Sequence, residues 1–177
     1  MAADASKRSI VIVFTGKGKG KTTAALGILL RAWGRDLRVV MFSFIKAETS
    51  NYGEHRAARK MGVEIIPLGA GYTWLSKDIE KDKAMARQCW ELAREKIASG
   101  LYDVVILDEF TYPLSYGWLP IGEVIEFLRD RPQNVNIVIT GYDAPPPLIE
   151  FADLVTEMQV VKHPYHDNVQ ALPGIDF

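Results

Sequence analysis

The chain has 177 residues, 48% hydrophobic and 24% charged, with a formal net charge of −1. That length suits one domain, taken as 1–177, with apolar residues enough for a substantial core, and the balanced charge supplies no global field for nucleic acid or an anionic membrane. The single cysteine, Cys89, excludes internal disulfides and fits a reducing compartment; the polar opening MAADASKRS and apolar runs of only strand length predict a cytoplasmic protein without leader or membrane span.

The first element is the most informative. Residues 10–14, IVIVF, are apolar throughout, as a strand buried on both faces should be. The loop TGKGKGKTT follows, and then a helix over about 21–34. Gly16, Gly18 and Gly20 let the backbone turn its N–H groups onto an anion, and the helix N-terminus adds its dipole. Lys21 is placed to reach phosphates and Thr22 to offer a hydroxyl to Mg²⁺, while Lys17 and Lys19 add charge at the rim. Gly16 through Thr23 is therefore the candidate nucleotide site. The spacing is irregular: the strict pattern GxxxxGK[ST] needs glycine where Thr15 stands, so this loop is one residue short. Arg31, two turns into the helix, is placed either to bind the nucleotide or to cap a surface.

Further strands are predicted at 37–42, 63–66, 103–107, 135–140 and 154–159, with helices at 52–61, 78–98, 121–130 and 146–151. The alternation predicts an α/β fold: a mostly parallel six-stranded sheet with helices on both faces, of phosphate-loop NTPase (RecA-like) architecture. In 78–98, Ile79, Ala86, Cys89, Trp90, Ala93 and Ile97 share one helical face, so Cys89 and Trp90 read as core. Before that helix, GAGYTWLS at 69–76 presents Tyr72 and Trp74 after two glycines, either as flat apolar surface for a large planar ligand or as loop anchors.

Residues 103–109, DVVILDE, form a buried strand ending in two carboxylates. An acid at this strand end lies beside a phosphate loop and helps hold Mg²⁺, which makes Asp108 and Glu109 candidates. Glu109 is the only marked candidate for a base or water-orienting group. The closing segment VKHPYHDNVQALPGIDF lacks periodicity, and Pro164 between His163 and His166 argues against a helical metal pair. A phosphoryl-transfer enzyme (kinase or RecA-like NTPase) and a non-catalytic nucleotide-binding regulator both fit the loop alone.

Several runs together resemble the phosphate-loop family of ATP:cob(I)alamin (corrinoid) adenosyltransferases: TGKGKGKTTAALG at 15–27, RAWG at 31–34, FIK at 44–46, GE at 53–54, GYTW at 71–74, VVILDEFTYPLSYGWL at 104–119, TG at 140–141, ADLVTEM at 152–158 and the ending VKH…GIDF. The short loop belongs to that family's pattern. The resemblance implies transfer of the 5′-deoxyadenosyl group of ATP to the cobalt(I) of a reduced corrinoid (cobalamin or cobinamide) with release of triphosphate, in cobalamin biosynthesis or salvage. It implies ATP bound in reverse relative to ordinary phosphate-loop NTPases, with the 5′-carbon toward the acceptor. Gly16 to Thr22 are implied to bind the triphosphate, Thr22 and Glu109 to hold Mg²⁺ (Mn²⁺ as an alternative), and Arg31 to touch the nucleotide. Tyr72 and Trp74 match a Phe-Thr-Trp element thought to shield the lower corrin face and displace the axial ligand. Lys21, Glu109, Tyr72 and Trp74 are thus the implied catalytic set. A homodimer and a flavin-dependent reductase or flavodoxin as electron donor are further implications. Two positions depart from the pattern: Tyr72 replaces Phe, and Tyr142 follows Thr140-Gly141 where many relatives carry Arg.

Overall fold

A computed structural model describes residues 9–46, 52–69, 78–164 and 169–176. Tyr72, Trp74 and His166 lie outside the described residues. The elements, in chain order, are β1 (Val11–Thr15), α1 (Lys21–Trp33), β2 (Val39–Ser43), α2 (Gly53–Met61), β3 (Glu64–Pro67), α3 (Ile79–Ala98), β4 (Val104–Asp108), α4 (Thr111–Ser115), α5 (Ile121–Arg129), β5 (Asn136–Thr140), α6 (Pro146–Phe151) and β6 (Leu154–Glu157). The six strands form one parallel sheet in the order β3-β2-β4-β5-β1-β6. The expected α/β architecture is present.

Strand alternation sorts the core into two layers. Val105, Leu107, Ile137 and Ile139 face one side, against Trp90, Ile97, Leu128 and Leu148. Val104, Ile106 and Val138 face the other, against Ala25, Leu29 and Ala32 of α1. The parity continues to the strand ends: Asp108 follows Val104 and Ile106 onto the α1 side, and Thr140 follows Val138. Truncating a buried leucine in such a layer costs about 2–5 kcal/mol, so these residues hold the strand ends that carry the chemistry.

Cys89 and Trp90 are core, as their helical spacing predicts. Trp90 packs on Phe110 with ring centroids 5.0 Å apart and edge-on to Phe127 at 5.6 Å. Burial pushes the Cys89 thiol up to about 12, so it is an inert apolar filler. Ile79 differs from expectation. It is the first residue of α3 and 62% exposed, because the buried face of the helix begins a turn later, at Asp82 and Ala86. The sequence reading omits α4, whose five residues include Pro113 and are too short to show a period. It also overextends β6, which stops at Glu157; Met158 and Gln159 turn instead beneath the phosphate loop.

Candidate active site

The C-terminal ends of β1, β4, β5 and β2 converge on the loop between β1 and α1. Gly16 and Gly20 have φ of 97° and 106°, where an L side chain is strained. Behind Gly16 the contact is tight: a Cβ there would lie 2.5 Å from the Met158 carbonyl oxygen. The Gly18 N–H donates to that same oxygen at 2.6 Å. The chain just past β6 is therefore a strut under the shortened loop. Gly20 begins α1 with no side-chain cap, leaving the N–H groups of the first turn without a cap from that residue.

Lys21 folds back over the loop, its Nζ donating to the carbonyls of Gly16 at 2.9 Å and Gly18 at 2.7 Å. Burial lowers its pKa below the usual lysine value, against the opposing pull of Glu109 and Asp108. Lys17 and Lys19 are exposed at the rim, as expected, and Lys19 pairs with Asp176 of the C-terminal turn. Thr22 and Thr23 face a neighbouring chamber. Arg31 lies on the exposed side of α1 and is not part of that chamber's lining.

The two acids separate into different roles. Asp108 is fully buried and its oxygens are engaged. Its Oδ1 accepts from the Thr22 hydroxyl at 2.9 Å and the Thr140 hydroxyl at 2.7 Å, and its Oδ2 accepts from Lys46 Nζ at 3.2 Å. Because Thr22 donates its proton to Asp108, the lone pairs of its oxygen remain for another partner. Glu109 sits in the left-handed region, with φ of 61°. Its N–H donates to Thr140 Oγ1 at 2.9 Å, which fixes this turn. Its Oε2 is buried without a hydrogen-bond partner. Burial, then the neighbouring Asp108, push the Glu109 carboxyl up to about 7, against the attraction of Lys46 and Lys21.

An orphaned buried carboxylate oxygen that shares a chamber with a hydroxyl oxygen suits a hard cation. Mg²⁺ takes one or two protein oxygens and completes its shell with phosphates and water. Among the described residues there is no group of three or more His, Cys, Asp or Glu placed to hold a metal; a two-residue site that needs substrate phosphate matches that ion.

Sequence reasoning missed three contributors. Thr140 reaches both acids because β5 lies between β4 and β1, a strand order no local pattern reveals. Lys46, beyond the end of β2, and Glu54, in the first turn of α2, form an ion pair of 2.9 Å. Burial works against the Lys46 ammonium, but Asp108 and Glu54 outweigh it and raise its pKa. Burial likewise opposes Glu54, and Lys46 pulls its pKa below the usual value. FIK and GE carried the only signal for this pair, through resemblance rather than spacing.

Beside Glu109 opens a chamber of about 800 Å³. Leu26, Leu29 and Leu30 of α1 form one wall, Ala57, Ala58 and Met61 of α2 the other, with Thr22, Lys46, Glu54 and Glu109 at its polar end. Gly69, the last described residue before the GYTW run, is tied to a residue of its lining. Gly69 N–H donates to the Lys46 carbonyl at 3.0 Å, and a Cβ on Gly69 would fall 2.0 Å from the Ile45 carbonyl carbon. Across the site, Tyr142 is 39% exposed and its carbonyl accepts from Thr111 Oγ1 at 2.6 Å. No helix among the described residues is long and apolar enough to cross a membrane.

In structure, the chain is similar to the flagellar accessory protein FlaH from Methanocaldococcus jannaschii (TM-score 0.57, 11% identity, 85% of this chain and 71% of that one), a likeness of fold alone. In sequence, it is 41% identical over 171 residues to the corrinoid adenosyltransferase of Escherichia coli K12, spanning 97% of this chain and 87% of that one. The corrinoid adenosyltransferase CobA of Salmonella typhimurium is 40% identical over the same spans. A Sinorhizobium relative of the same description is 36% identical over 180 residues, spanning 100% of this chain and 84% of the relative. The family model described as ATP:corrinoid adenosyltransferase BtuR/CobO/CobP matches residues 7–177, and the chain belongs to that family.

Proposed function

We propose that this protein transfers the 5′-deoxyadenosyl group of ATP to the cobalt of a reduced corrinoid and releases triphosphate. One observation carries the reading: the phosphate loop opens at Glu109 onto a large, mostly apolar chamber, and Lys46 on its lining holds Gly69, three residues before Tyr72 in the chain. In the reversed orientation typical of the family, the nucleoside end of ATP points toward Glu109. The chamber between α1 and α2 then receives the adenosine.

The electron pair on cobalt(I) attacks the 5′-carbon, the C5′–O bond breaks, and its electrons leave on triphosphate. Cobalt(I) is a strong enough nucleophile that no general base is needed. The residues have two tasks. They hold the reactants in line, which removes several kcal/mol from a bimolecular barrier, and they neutralise charge on the leaving group. The loop N–H groups, Lys19 and Lys21 perform the second task; substrate replaces Asp176 on Lys19 and the loop carbonyls on Lys21. Thr22 and ionised Glu109 would hold Mg²⁺, which supplies further charge stabilisation to the triphosphate. Asp108 acts behind them, orienting the Thr22 hydroxyl. Tyr72 and Trp74 form the corrin-facing surface. The chain works as a cytoplasmic homodimer, and a flavin-dependent reductase or flavodoxin delivers electrons to cobalt. Light scattering checks the dimer: it should give twice the 19.8 kDa chain mass, and a monomer under assay conditions contradicts it.

An ATP analogue with an imido bridge between the β and γ phosphorus atoms separates adenosyl from phosphoryl transfer. Adenosyl transfer leaves that bridge intact, so the analogue should support turnover and release imidotriphosphate. A kinase or ATPase would be blocked by it, and no turnover with the analogue alongside turnover with ATP would refute the proposal.

A further inference from the structure

The wall of the chamber formed by α2 is weakly anchored by apolar packing. The helix reads GEHRAARKM, and its buried residues are His55 and Ala58. Polar ties hold its two ends. At the C-terminal end, Trp33 Nε1 of α1 donates to the Met61 carbonyl at 3.0 Å. At the N-terminal end Lys46 grips it twice: Nζ pairs with Glu54 Oε1 at 2.9 Å and lies 5.2 Å from the centre of the Tyr52 ring. The same ammonium reaches Asp108 at 3.2 Å, and the Lys46 carbonyl holds the N–H of Gly69. One residue thus joins the end of β4, the first turn of α2 and the root of the segment that bears Tyr72 and Trp74.

An ion pair with both side chains only 13% exposed is a poor source of stability. Desolvation consumes most of the Coulomb gain, and an apolar pair of similar volume often does as well. Fixing one geometry between two elements is the better-attested use of such a pair. We infer that Lys46 and Glu54 are positioning residues: their ion pair sets the separation of α2 from the end of β4, and so the shape of the chamber that takes the nucleoside end of the nucleotide. The inference rests on the chamber's assignment to adenosine. Neither residue takes part in bond making, and the hydrogen bond of Glu54 runs to Lys46 rather than to the phosphate loop.

Binding of Mg²⁺–triphosphate, which needs the loop but not the chamber, can be compared by calorimetry with binding of Mg²⁺–ATP in wild type, Glu54→Gln and Glu54→Asp. In Glu54→Gln triphosphate affinity should be unchanged, while the advantage of ATP over triphosphate falls by about tenfold. The kcat at saturating ATP with pre-reduced cobalamin should fall by about 10–100-fold, the usual consequence of a misplaced reactant. Glu54→Asp keeps the charge but is shorter, so it should restore binding of Lys46 and recover part of both losses. Should the Gln variant fail to fold, Glu54→Asp alone decides, since it must still lose part of the ATP advantage. Equal losses of triphosphate and ATP affinity, or an unchanged ATP advantage, overturns the inference. The binding comparison does not depend on which reaction follows; absence of adenosyl transfer in wild type would instead refute the proposed function.

Discussion

Glu109 combines a left-handed backbone, a buried carboxyl and a raised pKa in one residue. Its folded value of about 7 lies above the ordinary 4.5, so the folded protein holds a proton that the unfolded chain has released between those values. The stabilisation is full below the unfolded value and is lost as pH rises through about 7. Glu109→Gln lacks this loss. Its melting temperature relative to wild type should therefore rise between pH 5 and pH 8 without Mg²⁺, while turnover is nearly abolished; a flat difference contradicts the assigned burial. Because Mg²⁺ needs the ionised form, wild-type affinity for Mg²⁺–ATP should increase across the same window and level off above it, as isothermal titrations at several pH values would reveal. Lys21→Ala removes the cation closest to the loop carbonyls and should cost about 10²–10³-fold in turnover; near-wild-type turnover refutes its role. Trp74→Ala should harm turnover coupled to cobalt(II) reduction more than turnover with pre-reduced cobalt(I), and equal losses would remove the axial-ligand role.

At the scale of elements, the shortened loop works because the chain beyond β6 supports it. Gly16→Ala would drive a Cβ against the Met158 carbonyl at a φ of 97°. Backbone strain of this kind costs about 1–3 kcal/mol, so this variant should lose nucleotide affinity and melt lower, whereas Gly122→Ala, with open space around the added carbon, should do neither. Much of the site was legible where its cause is local. Glycine spacing marks the loop, and the apolar run ending in Asp108-Glu109 marks the acids at a strand end. What escaped depends on distant parts of the chain. Strand order brings Thr140 between the two acids, the fold brings Glu54 to Lys46, and the left-handed turn at Glu109 is tied by its N–H to Thr140 on another strand. Five-residue α4 was illegible because one short turn containing Pro113 has no period to show.

Over the whole molecule, a parallel sheet gathers loop, acids and chamber at one end of its strands, where phosphate-loop sites are expected. The same frame serves kinases, ATPases and adenosyl transfer alike, so fold cannot select among them; the direction in which ATP lies across Glu109 can. Family membership selects the reaction class, and the identity of the departing group tests it directly. The decisive measurement incubates the protein with Mg²⁺, ATP and chemically reduced cobalamin, follows the loss of cobalt(I) absorbance, and identifies the phosphorus product by ³¹P NMR. Stoichiometric triphosphate together with adenosylcobalamin is the expected result. Release of ADP or orthophosphate without an adenosylated corrinoid would contradict it.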